Sequence, residues 1–115
     1  MKIVKVILSP EAEEVYKYLV EQAPHSKNER VILKAFENKK DLIKTNIHYG
    51  DPIGKDKIPG EYIVKYNVRN LFRVELPNYW RMLYTLTNDD SEIYIIAFVL
   101  DIISCIHYFL NLTRS

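Results

Sequence analysis

The sequence predicts an α+β protein in which two helices pack on one face of a largely antiparallel sheet. A short apolar, β-branched segment at residues 3–8 is typical of a strand. Two stretches with helical apolar periodicity follow, over residues 9–22 and 26–44. From residue 62 onward, apolar and polar residues alternate, as they do in half-buried strands.

Start and stop signals define the two predicted helices. Ser9 is a suitable N-cap, and Pro10 stands at the first helical position, where its missing N–H costs nothing. The first helix ends at Pro24. The second begins at Ser26, where Ser26-x-x-Glu29 fits a capping box. Because the connection is short, the pair is predicted to form an antiparallel helical hairpin.

The remaining segments are predicted from turn residues and alternation. Residues 46–60 read as a loop rich in Gly and Pro. The predicted strands cover residues 62–75, 80–87 and 92–100, and an interruption of the first of them near Asn67 or Asn70 is left open. Turns at Pro77-Asn78 and at residues 88–91 join the strands. A short helix is predicted over residues 102–112.

Length and composition favour one domain, residues 1–115, of an ordinary globular protein. The only cysteine, Cys105, excludes an intramolecular disulfide framework, so a reducing cytoplasm is the expected location. The N-terminus lacks the features of a signal peptide. Residues 93–112 are apolar enough to raise the question of a membrane span. Asp101 would lie near its centre, however, and a buried strand explains the first half, so no membrane association is expected.

Familiar catalytic and metal-binding motifs are absent from the sequence. It contains no glycine-rich phosphate loop, no His-Glu-x-x-His and no Gly-x-Ser-x-Gly. Cys105 and His107 lie two residues apart, a pair that does not make a zinc site without further ligands. We therefore predict neither a metal nor a cofactor.

Basic residues are concentrated in the middle of a chain whose net charge is only +1. Such a concentration is either a solvated basic face or an anion-binding surface, since Lys and Arg make most contacts to phosphate. The arginines are the more informative residues because they stand in predicted strands among aromatic and aliphatic neighbours. The basic residues in question are Lys55, Lys57, Lys65, Arg69, Arg73 and Arg81.

Strand alternation predicts which face each arginine occupies. Arg73 and Glu75 share one face of their strand, and Arg81 shares a face with Leu83 and Thr85 in the next strand. Two alternatives follow for Arg81. It forms a cross-strand ion pair with Glu75, or it opens onto a concave sheet surface where a ligand binds.

The segment of residues 62–86 carries a family resemblance. It reads Y-x-x-K-Y-x-V and then L-F-R-V-E-L-P-N-Y-W-R-M-L-Y-T-L. Preceded by a strand and a helical hairpin, this pattern resembles the RelE/ParE superfamily of type II toxin–antitoxin toxins. Trp80-Arg81-Met82-Leu83-Tyr84 is similar to the central hairpin of that family. In element order the likeness covers about residues 2–100, and its specific part is residues 62–86.

In the RelE-like branch, which the resemblance favours, the implied activity is metal-independent cleavage of messenger RNA in the ribosomal A site. The 2′-hydroxyl of the RNA attacks the adjacent phosphate, so catalysis requires charge stabilisation and proton transfer. The resemblance implies catalytic roles for Arg81, Tyr108 and His107. It implies RNA contacts for Lys55, Lys57, Lys65, Arg69 and Arg73. The implied partners are a cognate antitoxin, the ribosome and mRNA.

Two departures from the RelE-like pattern keep a second function open. Asp101 stands after the last predicted strand, where active members often carry a basic residue, and the tail of residues 104–115 is unusually apolar. Both features fit a non-catalytic ParE-like toxin directed at DNA gyrase, or an inactive relic that acts only by binding protein. An apolar tail is also a suitable surface for an antitoxin helix.

Overall fold

The computed structural model describes residues 3–89 and 93–104. Five strands form one mixed sheet in the order β1-β5-β4-β3-β2, in which β1 pairs with β5 in parallel and the other neighbours are antiparallel. This confirms the predicted α+β class. The elements are β1 Ile3–Leu8, α1 Pro10–Gln22, α2 Lys27–Thr45, β2 Asp51–Pro52, a 3-10 turn at Lys55–Lys57, α3 Gly60–Tyr66, β3 Phe72–Leu76, β4 Trp80–Asn88 and β5 Tyr94–Ser104.

Helices α1 and α2 cover one face of the sheet, called here the main-core face. Their apolar stripes meet the side chains that point to this face from β3, β4 and β5. The fully buried members of this core include Leu19, Ile32, Phe36, Met82, Tyr84, Ala97 and Val99. The predicted strand at residues 3–8, both helices and their contact with each other are confirmed.

The start of α1 is fixed by Ser9, which is fully buried. Its hydroxyl oxygen accepts a hydrogen bond from the Ala12 backbone N–H at 3.0 Å, as predicted for an N-cap. The same hydroxyl donates to the Leu100 carbonyl at 2.6 Å, and the Ser9 N–H donates to the Val99 carbonyl at 2.9 Å. Ser9 therefore joins α1 to the interior strand β5.

A β-bulge interrupts β5 at the point that Ser9 contacts. Leu83 of β4 pairs with Asp101, but the next residue, Tyr84, pairs with Val99, so Leu100 has no partner on β4. Ser9 supplies the hydrogen bond that the Leu100 carbonyl accepts. One extra residue shifts the alternation of side chains by one, so Asp101 lies on the opposite face from Val99 and Ile102.

The second face of the sheet carries α3 and is called here the α3 face. A smaller core lies between α3 and the sheet, formed by Ile58, Tyr62, Val68, Leu71, Leu83 and Leu100. The prediction of a strand starting at residue 62 was wrong for residues 62–66, which belong to α3. The two predicted helices do share one face, whereas α3, which was not predicted, packs on the opposite face.

Two asparagines form the junction between α3 and β3. Asn67 ends the helix in the left-handed conformation, with φ 53°. The side-chain amide of Asn70 then forms hydrogen bonds to β4 of the kind that a neighbouring strand would form with its backbone. Its oxygen accepts from the Leu86 N–H at 2.7 Å and from the Thr85 hydroxyl at 3.0 Å, while its nitrogen donates to the Leu86 carbonyl at 3.0 Å. Both sites at which we allowed a break are thus used, and β3 begins at Phe72.

The predicted helix over residues 102–112 is wrong for residues 102–104. Residues 102–104 continue β5, which reaches Ser104, and residues 105–112 lie outside the described part of the chain. The β3–β4 hairpin is confirmed, with its turn at Pro77-Asn78. Asn78 and Tyr79 both have positive φ, 60° and 66°.

The double role of Ser9 yields a stability prediction. We expect Ser9→Ala to lower the free energy of unfolding by about 2–4 kcal/mol, because it removes a helix cap and leaves the buried Leu100 carbonyl without a donor. Urea denaturation followed by circular dichroism measures this change.

Ser26→Ala is the matched control. Ser26 precedes α2, but its hydroxyl donates to the Glu29 carboxylate and caps no backbone N–H, while its own N–H donates to the Gln22 carbonyl, so neither backbone contact of the predicted capping box forms. We expect this substitution to cost less than about 0.5 kcal/mol. Equal losses for the two serines would contradict the role assigned to Ser9.

Candidate functional site

The arginines of β3 and β4 lie together on the α3 face. Strand register places Arg73 opposite Leu83, which in turn lies opposite Asp101, and it places Glu75 opposite Arg81. Side chains at opposite positions share a face, and diagonal neighbours such as Arg73 and Arg81 lie within reach of long side chains. Arg73 and Arg81 are called here the arginine pair.

Both members of the arginine pair have a buried Nε–H with no hydrogen-bond acceptor in the part of the chain that the structure describes. The only ion pair seen there for these arginines joins Arg73 Nε to Glu75 Oε1 at 3.4 Å, with both side chains substantially exposed. The alternative of an Arg81–Glu75 ion pair is therefore not the one realised, although the two residues lie opposite each other. The Nε–H of Arg81 is a shielded donor, and an anionic group would reach it only after the neighbouring side chains move.

Asp101 and Tyr62 form a second pair on the same face. Helix α3 places the Tyr62 hydroxyl so that it donates to Asp101 Oδ2. Burial raises the pKa of Asp101, and the nearby carboxylates Glu11 and Glu61 raise it further. The hydrogen bond from Tyr62 lowers it, but the net pKa of Asp101 lies above its usual range. Burial and the Asp101 carboxylate together raise the pKa of Tyr62.

Glu11 connects α1 to α3 by polar contacts. Its carboxylate pairs with the Lys65 ammonium and accepts a hydrogen bond from the Tyr66 hydroxyl at 2.6 Å. These hydrogen bonds, that from Lys65 first, lower the pKa of Glu11 to about 2. Lys65, a predicted RNA contact, is thus engaged within the protein.

The lysines before α3 lie on the same side of the sheet as the arginine pair. Lys55 and Lys57 are exposed in the 3-10 turn, and the next residue, Ile58, packs against Leu83 between the sheet and α3. Ile58 thus brings the backbone of the predicted basic loop to the α3 face, which also carries the arginine pair.

Arg69 lies elsewhere, in a cleft of about 340 Å³ between the end of α3 and the C-terminal end of β4. The Tyr66 and Phe98 rings, which meet edge to face with centroids 5.2 Å apart, form part of its wall. Arg81 lies near the N-terminal end of β4, so the structure separates Arg69 from the arginine pair. Tyr108 and His107, the other predicted catalytic residues, lie outside the described residues.

No protein-family model, curated protein or solved structure matches the chain. Over residues 3–89 and 93–104, no helix is long and apolar enough to cross a membrane. The same residues contain no group of three or more His, Cys, Asp or Glu side chains placed to hold a metal ion.

The sequence did not identify Tyr62 and Asp101 as site residues. Asp101 entered the sequence analysis as a charge within a possible membrane span and as a departure from the RelE-like pattern, and Tyr62 was predicted to lie in a strand. Their contact depends on the β-bulge, which turns Asp101 toward α3, and on α3 itself. The sequence did contain one signal, an acidic residue in an apolar segment. Burial of its carboxylate costs free energy unless a partner side chain compensates for it.

The raised pKa of Asp101 generates a prediction about stability and pH. A carboxyl with a raised pKa in the folded state destabilises the fold once it ionises, so this cost is absent below the unfolded pKa and complete above the folded pKa. We therefore expect Asp101→Asn to become more stable relative to the wild type as the pH rises from about 3 to about 7.5. Urea denaturation of both proteins across this range measures the difference.

Asp41→Asn is the control for this prediction, since the Asp41 side chain is exposed on α2 and that of Asp101 is half-buried. Its stability relative to the wild type should change little over the same range. A wild type that instead gains stability over Asp101→Asn with rising pH would show that the carboxylate is favoured by the fold.

Proposed function

We propose that this chain is the toxin of a type II toxin–antitoxin system of the RelE/ParE superfamily, and that it cleaves messenger RNA in the ribosomal A site. The observation that carries the proposal is the arginine pair, which places two guanidinium groups on one sheet face; within the described residues Arg73 is ion-paired with Glu75 and Arg81 has no ion-pair partner. The resemblance of residues 62–86 to that superfamily supports it.

Arg81 is the residue best suited to stabilise the reaction. When the 2′-hydroxyl attacks, negative charge builds on the non-bridging oxygens of the phosphate, and a planar guanidinium offers parallel donors that match two of them. Arg81 is partly buried in β4, so its position is set by the sheet and not by a loop. Arg73, the diagonal neighbour, adds a second positive charge on the same face.

The surrounding residues are assigned supporting roles. Lys55 and Lys57 are exposed and free to follow the phosphates that flank the cleaved bond. Arg69, at its separate cleft, would hold a more distant phosphate, and Lys65 would first have to leave Glu11. Tyr108, with His107 beside it, is proposed to stack on a base or to assist proton transfer.

The proposal includes the partners and location implied by the resemblance. The toxin acts in the cytoplasm on ribosomes that carry mRNA, and a cognate antitoxin holds it inactive. It uses no metal and no cofactor, because the attacking group belongs to the RNA itself.

A second candidate is a toxin that acts by binding protein, as ParE-like members do on gyrase, or an inactive relic. The observation that favours it is the mixed charge of the α3 face. Glu75 and Asp101 share this face with the arginine pair, and Asp51 of β2 lies opposite Arg73. Alternating charge of this kind suits a protein surface better than a polyanion.

Substitution of Arg81 distinguishes the two candidates. We expect Arg81→Ala to reduce mRNA cleavage by at least about 100-fold, because one transition-state donor of this kind contributes that much to a rate. Arg81→Lys should recover only part of the loss, since an ammonium keeps the charge but lacks the planar fork. The measurement maps messenger 5′ ends in growing cells that express each variant from a tightly repressed promoter.

Lys34→Ala serves as the control, because Lys34 is exposed on α2, which packs on the main-core face. It should cleave like the wild type. Growth arrest that persists in Arg81→Ala, with no new 5′ ends in any variant, would replace the nuclease with the protein-binding toxin.

A further inference from the structure

Asp101 lies beside the arginine pair in the geometry expected of an acid–base group. Arg81 faces Ile103 across the β4–β5 ladder, and Asp101 is two residues before Ile103, so Arg81 and Asp101 are diagonal neighbours on one face. Diagonal neighbours in an antiparallel pair have Cα atoms about 7–8 Å apart. Leu83 and Ile103 occupy the other two positions between them and pack in the smaller core, so a phosphodiester that contacts both Arg81 and Asp101 would lie over these two side chains.

The other carboxylates of this face are less suited to the task. Glu75 is exposed, and its carboxylate lies against Arg73. Asp51 is exposed on the two-residue edge strand β2. Asp101 is half-buried in the interior strand β5, and one of its oxygens, Oδ2, accepts the hydrogen bond from the Tyr62 hydroxyl. Its other oxygen keeps the capacity to accept a proton in a fixed direction.

We propose that Asp101 is the general base that removes the proton from the attacking 2′-hydroxyl, and that Tyr62 is a positioning residue that orients it. This inference rests on the proposed ribonuclease function. It assigns proton abstraction to a residue in the described part of the fold, where the resemblance assigns proton transfer to the C-terminal tail.

The reaction balances without a further reactant. The Asp101 carboxylate takes the 2′-hydroxyl proton as the bond from O2′ to phosphorus forms and the bond from phosphorus to O5′ breaks. The products are a 2′,3′-cyclic phosphate and a 5′-oxygen that takes a proton from water. Asp101 then returns its proton to solvent, so the enzyme ends in the state in which it began.

The groups around Asp101 adjust its basicity. From α3, Glu61 raises its pKa and the Tyr62 hydrogen bond lowers it; from α1, Glu11 raises it, and Lys65, which pairs with Glu11, lowers it. Arg73 and Arg81 share its sheet face. Burial is the largest influence and raises the pKa of Asp101.

The test is single-turnover cleavage of mRNA on programmed ribosomes as a function of pH. The wild type should lose activity at low pH as Asp101 becomes protonated. Asp101→Asn should cleave about 100- to 10,000-fold more slowly and lack that low-pH loss. It should still bind ribosomes with wild-type affinity, which separates a chemical defect from a folding defect.

Tyr62→Phe tests the positioning role. Because the Tyr62 hydrogen bond lowers the pKa of Asp101, its removal should move the low-pH loss of activity to higher pH, while the rate at high pH falls only modestly. Asp41→Asn is the matched control and should keep the wild-type rate and pH profile.

The outcomes separate this inference from the proposed function. If Arg81→Ala is inactive but Asp101→Asn cleaves with the wild-type pH profile, Asp101 is not the base and the ribonuclease proposal stands. If Asp101→Asn cleaves slowly but Tyr62→Phe keeps the wild-type pH profile, the assignment of Asp101 as the base stands and the positioning role of Tyr62 is overturned. If the wild type itself cleaves no mRNA, the proposed function fails and the assignment of a base fails with it.

Discussion

The hydrogen bond from the buried Ser9 hydroxyl to the Leu100 carbonyl holds the β-bulge on which the rest of the structure depends. Strand side chains alternate with a period of two, so without the extra residue Asp101 would point into the main core, among apolar side chains. With the bulge, Val99 and Ile102 enter the main core, and Asp101 faces α3. One satisfied carbonyl thus decides both the packing of β5 and the chemistry of its second face.

The α3 face combines features that are unfavourable for stability and useful for binding. Within the described residues, the buried Nε–H groups of two arginines make no hydrogen bond, and a half-buried carboxylate has a raised pKa. Proteins tolerate such groups where they serve a ligand or a reaction, and stability is then supplied elsewhere. Here the main core supplies it, because α1, α2 and the sheet bury a continuous apolar cluster on the other face.

Sequence patterns predicted the elements whose signals are local. β-branched runs, caps and apolar periodicity predicted β1, α1, α2 and β4. Strand alternation also predicted correctly that Arg73 and Glu75 lie on one face of β3, with Phe72 and Val74 on the other. Helix α3 was not predicted because its β-branched and aromatic residues favour strands. In the structure, Tyr62 and Tyr66 are one helical turn apart and both pack toward the sheet. The bulge at Leu100 has no sequence signature, so the Tyr62–Asp101 contact could not be predicted.

The shortness of α3 has a consequence for motion. Its seven residues are too few to remain helical in water alone, so the segment folds only while it is docked on the sheet. Docking relies on a small apolar cluster and on exposed polar contacts to Glu11, which salt weakens. Local opening of this segment, separate from global unfolding, would release Tyr62 from Asp101 and uncover the sheet face beside the arginine pair. The same short helix that orders this surface therefore also controls how often it is open.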